Sequence, residues 1–407
     1  MHDVLTLFFD DLDLSGVKTP QYLYFPSKLN ENINAFNKFV KNNVKIFYAL
    51  KSNNHPPLVK HIIQSGFGFD AASKEEIVFL LSMGTDPNNI SFSAPTKKEE
   101  DIQYAAKVGI RYYAFDSEEE IIKIVRNVDS PILFARLAAA NKDAVFNLSS
   151  KFGMTQEYFS YILRKCKKNN WNVQGLTFHV GSQNTASEAW KAAMLHAEEL
   201  MELARNKFDM EIRYLNIGGG IPAPYEDHIP SLDYFINNIL IYCNDLRKKF
   251  PSLELFIEPG RAMSANTMAL LTKIIDIKPY KKPPVLVVDT GVFNGIIEPI
   301  EHLEYPIYLG NFPESEKSLF RIVGFSCEGY DVIRQNVLLP KTIKPGDMIT
   351  FMYAGAYTFV YNNFHMVPYP TIENAESVVS DYSESKTILE KAIAKSLSKL
   401  EEVKTIN

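Results

Sequence analysis

Chemically reactive side chains recur where apolar segments of this sequence end. Lys51 follows the apolar run of "IFYAL", and Asp70, Arg136 and His179 end "FGF", "ILFA" and "LTF" in the same way. Two further segments end in "GGG" (218–220) and "EPGR" (258–261). Together, an amine, carboxylates, an imidazole and a glycine run could bind an anion and perform covalent amine chemistry. Each alone has a structural explanation, since lysines are usually exposed and solvated.

The alternation of segments predicts how these side chains are brought together. From about residue 20, short apolar runs alternate with amphipathic helical patterns, as in "VKIFYALK" followed by "HPPLVKHIIQSG". Seven or eight such units before residue 265 favour an α/β fold, a closed (β/α)8 TIM barrel. Functional residues of such barrels lie at the C-terminal ends of the strands, so the whole set would share one mouth.

The pattern changes after about residue 265. Turn-separated, β-rich runs without intervening helices predict a second, mainly antiparallel β-domain. The expected organisation is a barrel over residues 20–265, a β-domain of residues 1–19 and 266–370, and a helical C-terminal tail over residues 371–407. The tail alternates charged and aliphatic residues at helical spacing, and it could pack on the body, contact a partner or act as a linker.

Composition excludes several classes of function. The chain has 407 residues, 46% hydrophobic and 22% charged, with a net charge of −5, which is typical of a globular protein without a basic surface for nucleic acid. Three widely spaced cysteines (166, 243 and 327) argue against a disulfide framework, and no His/Asp cluster at metal spacing indicates a metal site. Neither a signal peptide nor a membrane span is recognisable, so a cytoplasmic protein without a membrane partner is expected.

An anion site, an amine and a carboxylate at one mouth suggest a cofactor. "NIGGGIP" lacks the glycine spacing of a dinucleotide fold or a P-loop, but its backbone could approach a phosphate closely; a tight structural turn is the alternative. Arg261 could add a charged hydrogen bond to the same phosphate. With Lys51 as a Schiff-base amine and Glu258 beside a ring nitrogen, pyridoxal 5′-phosphate (PLP) accounts for all three. His179 would lie flat on the ring or be an ordinary core histidine.

An ordered series of segments resembles a known family. The segments are "YALKSN", "FDAAS", "HVGSQ", "IGGGIP", "EPGRA", "SCEGYDVI" and "GAYT". Over roughly residues 20–370 they resemble the fold-type III PLP-dependent decarboxylases, the group of the ornithine, lysine, diaminopimelate and arginine decarboxylases. "SSKFGM" (149–154) and "VVDTGVFNGI" (287–296) suggest the ornithine/lysine branch. The resemblance implies an alanine-racemase-like barrel with a C-terminal β-domain, PLP as cofactor, and a homodimer with shared active sites.

The resemblance also implies a role for each matching barrel residue. Lys51 would form the internal aldimine, Glu258 would pair with the pyridine nitrogen, and His179 would stack on the ring. Asp70 and Arg136, as a paired acid and base, would support the cofactor face near Lys51. The implied phosphate contacts are Ser182, Gly218, Gly219, Gly220, Arg261 and Tyr357.

Residues of the β-domain would complete the site. The resemblance implies that Cys327, in "SCEGYD", comes from the partner subunit and protonates Cα after CO2 leaves; a buried, inert thiol is the alternative. Asp331 would pair with Lys151 across the interface. Asp289, in "VVDTG", and Glu328, which adjoins Cys327, are the acidic candidates for holding the distal ammonium of a substrate. Cys327 would also line the substrate site.

The predicted reaction is decarboxylation of a basic (diamino) L-amino acid such as ornithine or lysine to the corresponding amine, as in polyamine biosynthesis. The ornithine branch usually carries aspartate after the cysteine, whereas Glu328 stands there in this chain. A noncanonical amino acid or an aminoacyl conjugate, in siderophore, antibiotic or peptide-modification biosynthesis, therefore stays open as a substrate. So do an amino-acid racemase, which would need a second base in place of Cys327, and a non-catalytic PLP-binding homologue.

Overall fold

The computed structural model describes residues 17–139, 144–146, 151–226, 228–310, 316–360 and 370–375. The chain divides into two compact units, a barrel unit, Leu29–Ala265, and a second unit that combines Met1–Lys28 with Asn266–Asn407. Among the described residues, no helix is both long and apolar enough to cross a membrane.

The barrel unit contains eight parallel strands that close on themselves. In chain order, its strands are β2 (Val44–Ala49), β3 (Gly68–Ala71), β4 (Ile90–Phe92), β5 (Tyr112–Phe115), β6 (Ile132–Leu137), β8 (Val173–Phe178), β10 (Tyr214–Asn216) and β11 (Glu254–Ile257). Each pairs with the next, and β11 pairs with β2 to complete the ring. Two short strands, β7 (Ala144–Phe146) and β9 (Ser182–Asn184), form a separate antiparallel pair.

Helices follow most barrel strands, as the sequence predicts. They are α1 (Pro26–Lys41), α2 (Pro56–Gln64), α3 (Lys74–Ser82), α4 (Glu99–Lys107), α5 (Glu118–Asn127), α6 (Gln156–Asn169), α7 (Glu188–Phe208), α8 (Leu232–Lys249) and α9 (Arg261–Ser264). The hydroxyls of Ser73 and Ser117 accept the N–H groups of Glu76 and Glu120, which caps α3 and α5. The predicted (β/α)8 barrel is confirmed.

Aromatic rings fill part of the barrel interior. Phe134 of β6 and Phe256 of β11 lie with ring centroids 5.8 Å apart although their strands are not neighbours, so the two rings meet inside the barrel. Phe47 joins them at 5.5 Å from Phe256. A Cβ on Gly68 or Gly175 would press against Phe47 or Phe134, so both glycines make room for this core. Rings from non-neighbouring strands therefore form one packed cluster inside the barrel.

The second unit is a mixed sheet. Its strands are β1 (Gln21–Tyr24), β12 (Met268–Lys278), β13 (Val285–Val288), β14 (Ile307–Tyr308), β15 (Lys317–Val323), β16 (Val332–Pro340), β17 (Met348–Phe351) and β18 (Thr371–Asn374). The order is β14-β17-β12-β13-β15-β16, with β1 paired to both β12 and β18. Most pairs are antiparallel, as expected, but β13–β15 and β1–β18 are parallel.

Two details of the expected organisation are wrong. Gln21–Tyr24, expected within the barrel of residues 20–265, form β1 of the second sheet; Tyr22, Leu23 and Tyr24 are all buried, and an apolar run does not indicate which sheet buries it. Residues 371–374, expected to begin the helical tail, form β18, since they hydrogen-bond to β1. The rest of the expected tail, from residue 376, and residues 1–16 lie outside the described residues.

Candidate active site

The structure brings the predicted barrel residues to one mouth. Lys51 lies in a short 3-10 turn directly after β2, and Asp70 and Arg136 are the penultimate residues of β3 and β6. His179 and Glu258 directly follow β8 and β11. Because the strands are parallel, their carboxyl ends all lie at the same rim, here called the barrel mouth.

Lys51 and Asp70 form an ion pair at the barrel mouth. The Lys51 Nζ lies 3.3 Å from the Asp70 Oδ2, and the Asp70 side chain is only 2% exposed whereas that of Lys51 is 47% exposed. The Asp70 Oδ1 is buried, and none of the residues that the structure describes donates a hydrogen bond to it. The amine is therefore accessible, and a buried carboxylate with unused hydrogen-bonding capacity holds it in place.

Arg136 does not take part in the expected pair with Asp70. The Arg136 guanidinium lies over the ring of Phe152, 4.9 Å from its centroid, while Asp70 binds Lys51 instead. Burial lowers the pKa of Arg136, and the negative charges of Glu258, Asp116 and Asp70 act in the opposite direction. Arg136 stays positively charged and contributes a field at the mouth.

Glu258 is a buried carboxylate with two hydrogen-bond donors on one oxygen. Its Oε1 accepts from the Ser93 hydroxyl at 3.0 Å and from the Asn216 amide at 2.5 Å. Within the described part of the chain, no side chain or backbone donor reaches its Oε2. Burial, and next the charge of Asp70, raise the pKa of Glu258 to about 7, while Lys51 and the two donors act against that rise.

Ser93 and Asn216 were not predicted from the sequence. Ser93 follows "ISF" at a strand end, which is the signal that singled out the other residues, and Asn216 lies within the "NIGGGIP" motif. The Asn216 Oδ1 also accepts the N–H of Gly218 at 2.9 Å. This one amide therefore connects the glycine run to Glu258.

The glycine run packs against backbone carbonyl groups. Gly218 and Gly220 have φ values of 64° and 114°, which favour glycine. A Cβ on Gly218, Gly219 or Gly220 would collide with the carbonyl oxygen of Phe178, Glu258 or Gly181, respectively. The run therefore forms a tight turn in which Gly218 and Gly219 are buried, and its role as an anion site stays a prediction.

Arg261 is buried between two aromatic rings. Its guanidinium lies 5.2 Å from the ring centroid of Phe146 and 5.6 Å from that of Tyr225. Its Nε and Nη2 each lie 3.3 Å from the Ser182 Oγ, and its Nη1 donates to the Tyr225 hydroxyl at 3.2 Å. These contacts hold a cation rigidly beside Ser182, as a phosphate site requires. Phe146 and Tyr225 were not predicted.

His179 is a neutral imidazole. Its Nδ1 accepts the N–H of Gly181 at 3.0 Å, so in the neutral ring the proton lies on Nε2. Burial, and then the positive charges of Arg136 and Lys51, lower the pKa of His179 to about 3. The ring therefore adds no positive charge to the mouth at neutral pH.

These residues fit PLP. The cofactor needs an accessible amine, an anion site and a carboxylate for its ring nitrogen. Lys51 supplies the first, Arg261 with Ser182 the second, and the Oε2 of Glu258 the third. The Asp70 Oδ1, to which no described residue donates, is a further polar atom at the mouth that a bound group could satisfy.

In the second unit, Cys327 and Glu328 are exposed on the loop between β15 and β16. Asp331 is buried and accepts from Val292 N at 2.8 Å, Ser326 N at 3.1 Å and the Ser326 hydroxyl at 2.5 Å. Asp331 therefore connects the loop that carries Cys327 to the segment around Val292 of the same chain. Its expected pairing with Lys151 stays a prediction.

Asp289 and Tyr357 also lie in the second unit. The Asp289 Oδ1 accepts the N–H of Lys273 at 2.9 Å, and the Thr19 hydroxyl also binds this carboxylate. Burial raises the pKa of Asp289. Tyr357 has a left-handed φ of 54°, uncommon for a non-glycine residue. Their roles toward substrate and phosphate stay predictions.

The parallel barrel, with a lysine, a carboxylate and an arginine-based anion site at its mouth, defines a PLP enzyme of the barrel class. The family described as "Pyridoxal-dependent decarboxylase, pyridoxal binding domain" matches residues 26–265, and the chain belongs to this family. The protein is a PLP-dependent amino-acid decarboxylase.

Three relatives show how far the similarity extends. Lysine/ornithine decarboxylase of Selenomonas ruminantium is 28% identical over 384 residues, which cover 92% of this chain and 95% of that protein. Antizyme inhibitor 2 of Xenopus laevis is 29% identical over 378 residues, 85% of this chain and 80% of that protein. The crystal structure of the S. ruminantium enzyme SrLDC in complex with PLP and cadaverine has a TM-score of 0.83 and 26% identity, and it covers 95% of this chain and 97% of that chain.

Proposed function

We propose that the protein decarboxylates a basic L-amino acid, such as ornithine or lysine, to the corresponding amine. The observation that carries this proposal is the accessible Lys51 amine, paired with buried Asp70 at the mouth that also holds Glu258 and Arg261. The similarity to a lysine/ornithine decarboxylase and to SrLDC in complex with cadaverine supports a basic substrate.

Each barrel residue has a distinct task in this proposal. When bound, PLP supplies an electron-withdrawing ring that takes up the electron pair left at Cα when CO2 departs. Lys51 would attach the cofactor covalently through its amine, which Asp70 orients. Glu258 keeps a proton on the ring nitrogen through its Oε2. Arg261, Ser182 and the N–H groups of Gly219 and Gly220 would hold the phosphate, since the N–H of Gly218 already donates to Asn216.

The proposal extends to a homodimer in which Cys327 reaches the site of the partner subunit. Tyr357 would contact the phosphate, and Lys151 would pair with Asp331 across the interface. Cys327 is suited to proton donation because its thiol is exposed, whereas Cys166 and Cys243 are buried and burial raises the pKa of each to about 12.

Replacing Cys327 with alanine should misdirect the proton that completes the amine. We expect amine formation to slow by about 10²-fold, because an acid–base group typically contributes that much, and CO2 to exceed amine, with the difference recovered as aldehyde whose amino group stays on the cofactor. The measurement is the ratio of amine to CO2 for each variant. Cys166→Ala is the control for loss of a thiol, and an unchanged ratio in Cys327→Ala would refute the role of Cys327.

Replacing Asp289 with asparagine should weaken binding of a diamino substrate. The amide can still accept the N–H of Lys273 but no longer attracts an ammonium, so we expect KM for ornithine or lysine to rise about tenfold or more. The dissociation constant for PLP should not change. Asp276→Asn, at an exposed position of β12, is the matched control; equal KM values for the two variants would remove Asp289 from the substrate site and leave Glu328 as the acidic candidate.

A panel of L- and D-amino acids assayed for CO2 release tests the proposed function. We expect the highest kcat/KM with a basic L-amino acid. CO2 release only from a noncanonical amino acid or an aminoacyl conjugate would favour the alternative substrate class, which the glutamate at position 328 suggested. Interconversion of enantiomers without CO2 would indicate a racemase.

The similarity to antizyme inhibitor 2 makes a non-catalytic homologue the remaining alternative. The Lys51–Asp70 pair, the supported Glu258 and the preorganised Arg261 count against it, since a protein without the chemistry has no need of them. Visible absorbance that disappears on borohydride reduction, together with CO2 release from an amino acid, would agree with the enzyme. A protein that stays colourless after addition of PLP would overturn it.

A further inference from the structure

Ser91 of β4 and Ser93, which directly follows β4, form a hydroxyl relay that ends on Glu258. Ser91 and Ser93 are two residues apart, so their side chains lie on the same face of the strand. Their Oγ atoms are 2.8 Å apart, and the Ser93 Oγ lies 3.0 Å from the Glu258 Oε1. A hydroxyl group can donate only one hydrogen bond. Ser93 donates its hydrogen bond to the Glu258 carboxylate, so Ser91 must donate to Ser93.

The relay crosses the barrel interior. In the ring of strands, β4 is separated from β11 by β2 and β3, so Ser93 reaches Glu258 across the mouth and not along a shared edge. Asn216, the other donor to the same oxygen, also binds Gly218 and so has a second structural task. Among the described residues, the Ser93 hydroxyl forms hydrogen bonds with Ser91 and Glu258 only.

The segment after Ser93 is fixed by a buried lysine. The Lys97 Nζ donates to the carbonyl oxygens of Ala94 at 2.7 Å and Ala114 at 2.6 Å, and it lies 3.0 Å from the Glu120 Oε1. The side chains of Lys97 and Glu120 are both buried. These contacts fix the backbone that follows Ser93, and this limits the positions that the Ser93 hydroxyl can reach.

Several charged and titratable groups compete for the state of Glu258. Asp70 from β3 disfavours its charge, as does burial, while Lys51 after β2 favours it. Arg136 from β6 interacts favourably with it, and His179 after β8 is neutral. The hydrogen bond that Ser93 donates to the Oε1 favours the charged form, against burial and the charge of Asp70.

We propose that Ser93, supported by Ser91, is a positioning residue that keeps Glu258 ionised and turns its Oε2 toward the cofactor ring nitrogen. The second half of this proposal rests on the proposed function, because it assigns the ring nitrogen to Glu258. The first half concerns the carboxylate alone and holds before PLP is added.

The test compares Ser93→Ala, Ser91→Ala and the wild-type full chain before PLP is added. Infrared difference spectra titrate the protonated carboxyl band of Glu258, which is identified by its loss in Glu258→Gln. We expect Ser93→Ala to raise the pKa of Glu258 by about one unit, and Ser91→Ala to raise it by less, because each removes stabilisation of the charged form. Ser82→Ala, whose hydroxyl binds a carbonyl within α3, is the control and should match the wild type.

A second readout is the pH dependence of the dissociation constant for PLP. We expect Ser93→Ala to bind PLP about tenfold more weakly at neutral pH, with the difference closing as the pH rises above the raised pKa of Glu258. A wild-type titration of Glu258 in both serine variants would overturn the proposal. Failure of the wild type to bind PLP would instead contradict the proposed function, while the infrared titration would still decide the role of Ser93.

Discussion

Replacement of Lys51 by alanine is expected to abolish the visible absorbance of the bound cofactor and turnover together. The Lys51 Nζ is the accessible amine that Asp70 holds at the barrel mouth, 3.3 Å away. Without it, PLP loses its covalent attachment and the substrate amine loses the group that it displaces. We expect turnover to fall by on the order of 10⁴-fold, measured as CO2 released from the preferred amino acid.

Lys45 offers a matched control on the same strand. It lies near the opposite end of β2, where its Nζ forms an exposed ion pair with the Glu254 Oε2 at 2.8 Å. Lys45→Ala should keep full absorbance and turnover, since an exposed pair contributes little. The double variant Lys51→Ala, Asp70→Asn removes the buried charge that the single variant leaves unpaired, so an inactive and folded double variant separates lost chemistry from lost stability. Retained turnover in Lys51→Ala would refute the assignment.

Replacement of Glu258 by glutamine should have the second largest effect. The amide keeps an oxygen that can accept from Ser93 and Asn216, so the barrel should fold normally. It lacks the negative charge that holds a proton on the ring nitrogen of PLP. We expect kcat to fall by about 10²- to 10³-fold, as when a preorganised electrostatic group is removed, while PLP stays covalently attached.

Glu254→Gln is the corresponding control. Glu254 begins β11, whereas Glu258 directly follows it, so the two variants change the same side chain at opposite ends of one strand. Single-turnover measurements with the preferred amino acid should show the loss of kcat in Glu258→Gln only. Equal rates in both variants would show that the buried carboxylate has no part in the reaction.

The positions of the barrel residues could be predicted because one rule governs them. Parallel strands place their carboxyl ends at one rim, so Lys51, His179 and Glu258 could be assigned to one mouth from the order of apolar runs alone. The division of labour among them was less predictable. Asp70 pairs with Lys51 and not with Arg136, a choice that depends on side-chain distances of a few ångströms.

Other features depend on contacts between distant segments. Ser93 and Asn216 are 123 residues apart, and they donate to the same oxygen of Glu258 only because the barrel closes. No local sequence pattern predicts this. β1 and β18 are separated by more than 340 residues, and their parallel pairing removes residues 371–374 from the expected helix. Nothing in the local sequence marks residues 371–374 as a strand whose partner lies this far away.

The glycine run has a consequence for how this protein can change over generations. At its three positions the neighbouring atoms are carbonyl oxygens of the main chain, which cannot turn aside as a side chain can. A methyl group there would also require a left-handed backbone at two of the three positions, at about 1–2 kcal/mol each. Another aromatic residue could replace Phe146 or Tyr225 and still cover Arg261. Any side chain at one of the three glycines would displace the main chain, so no single substitution there is tolerated without a backbone shift.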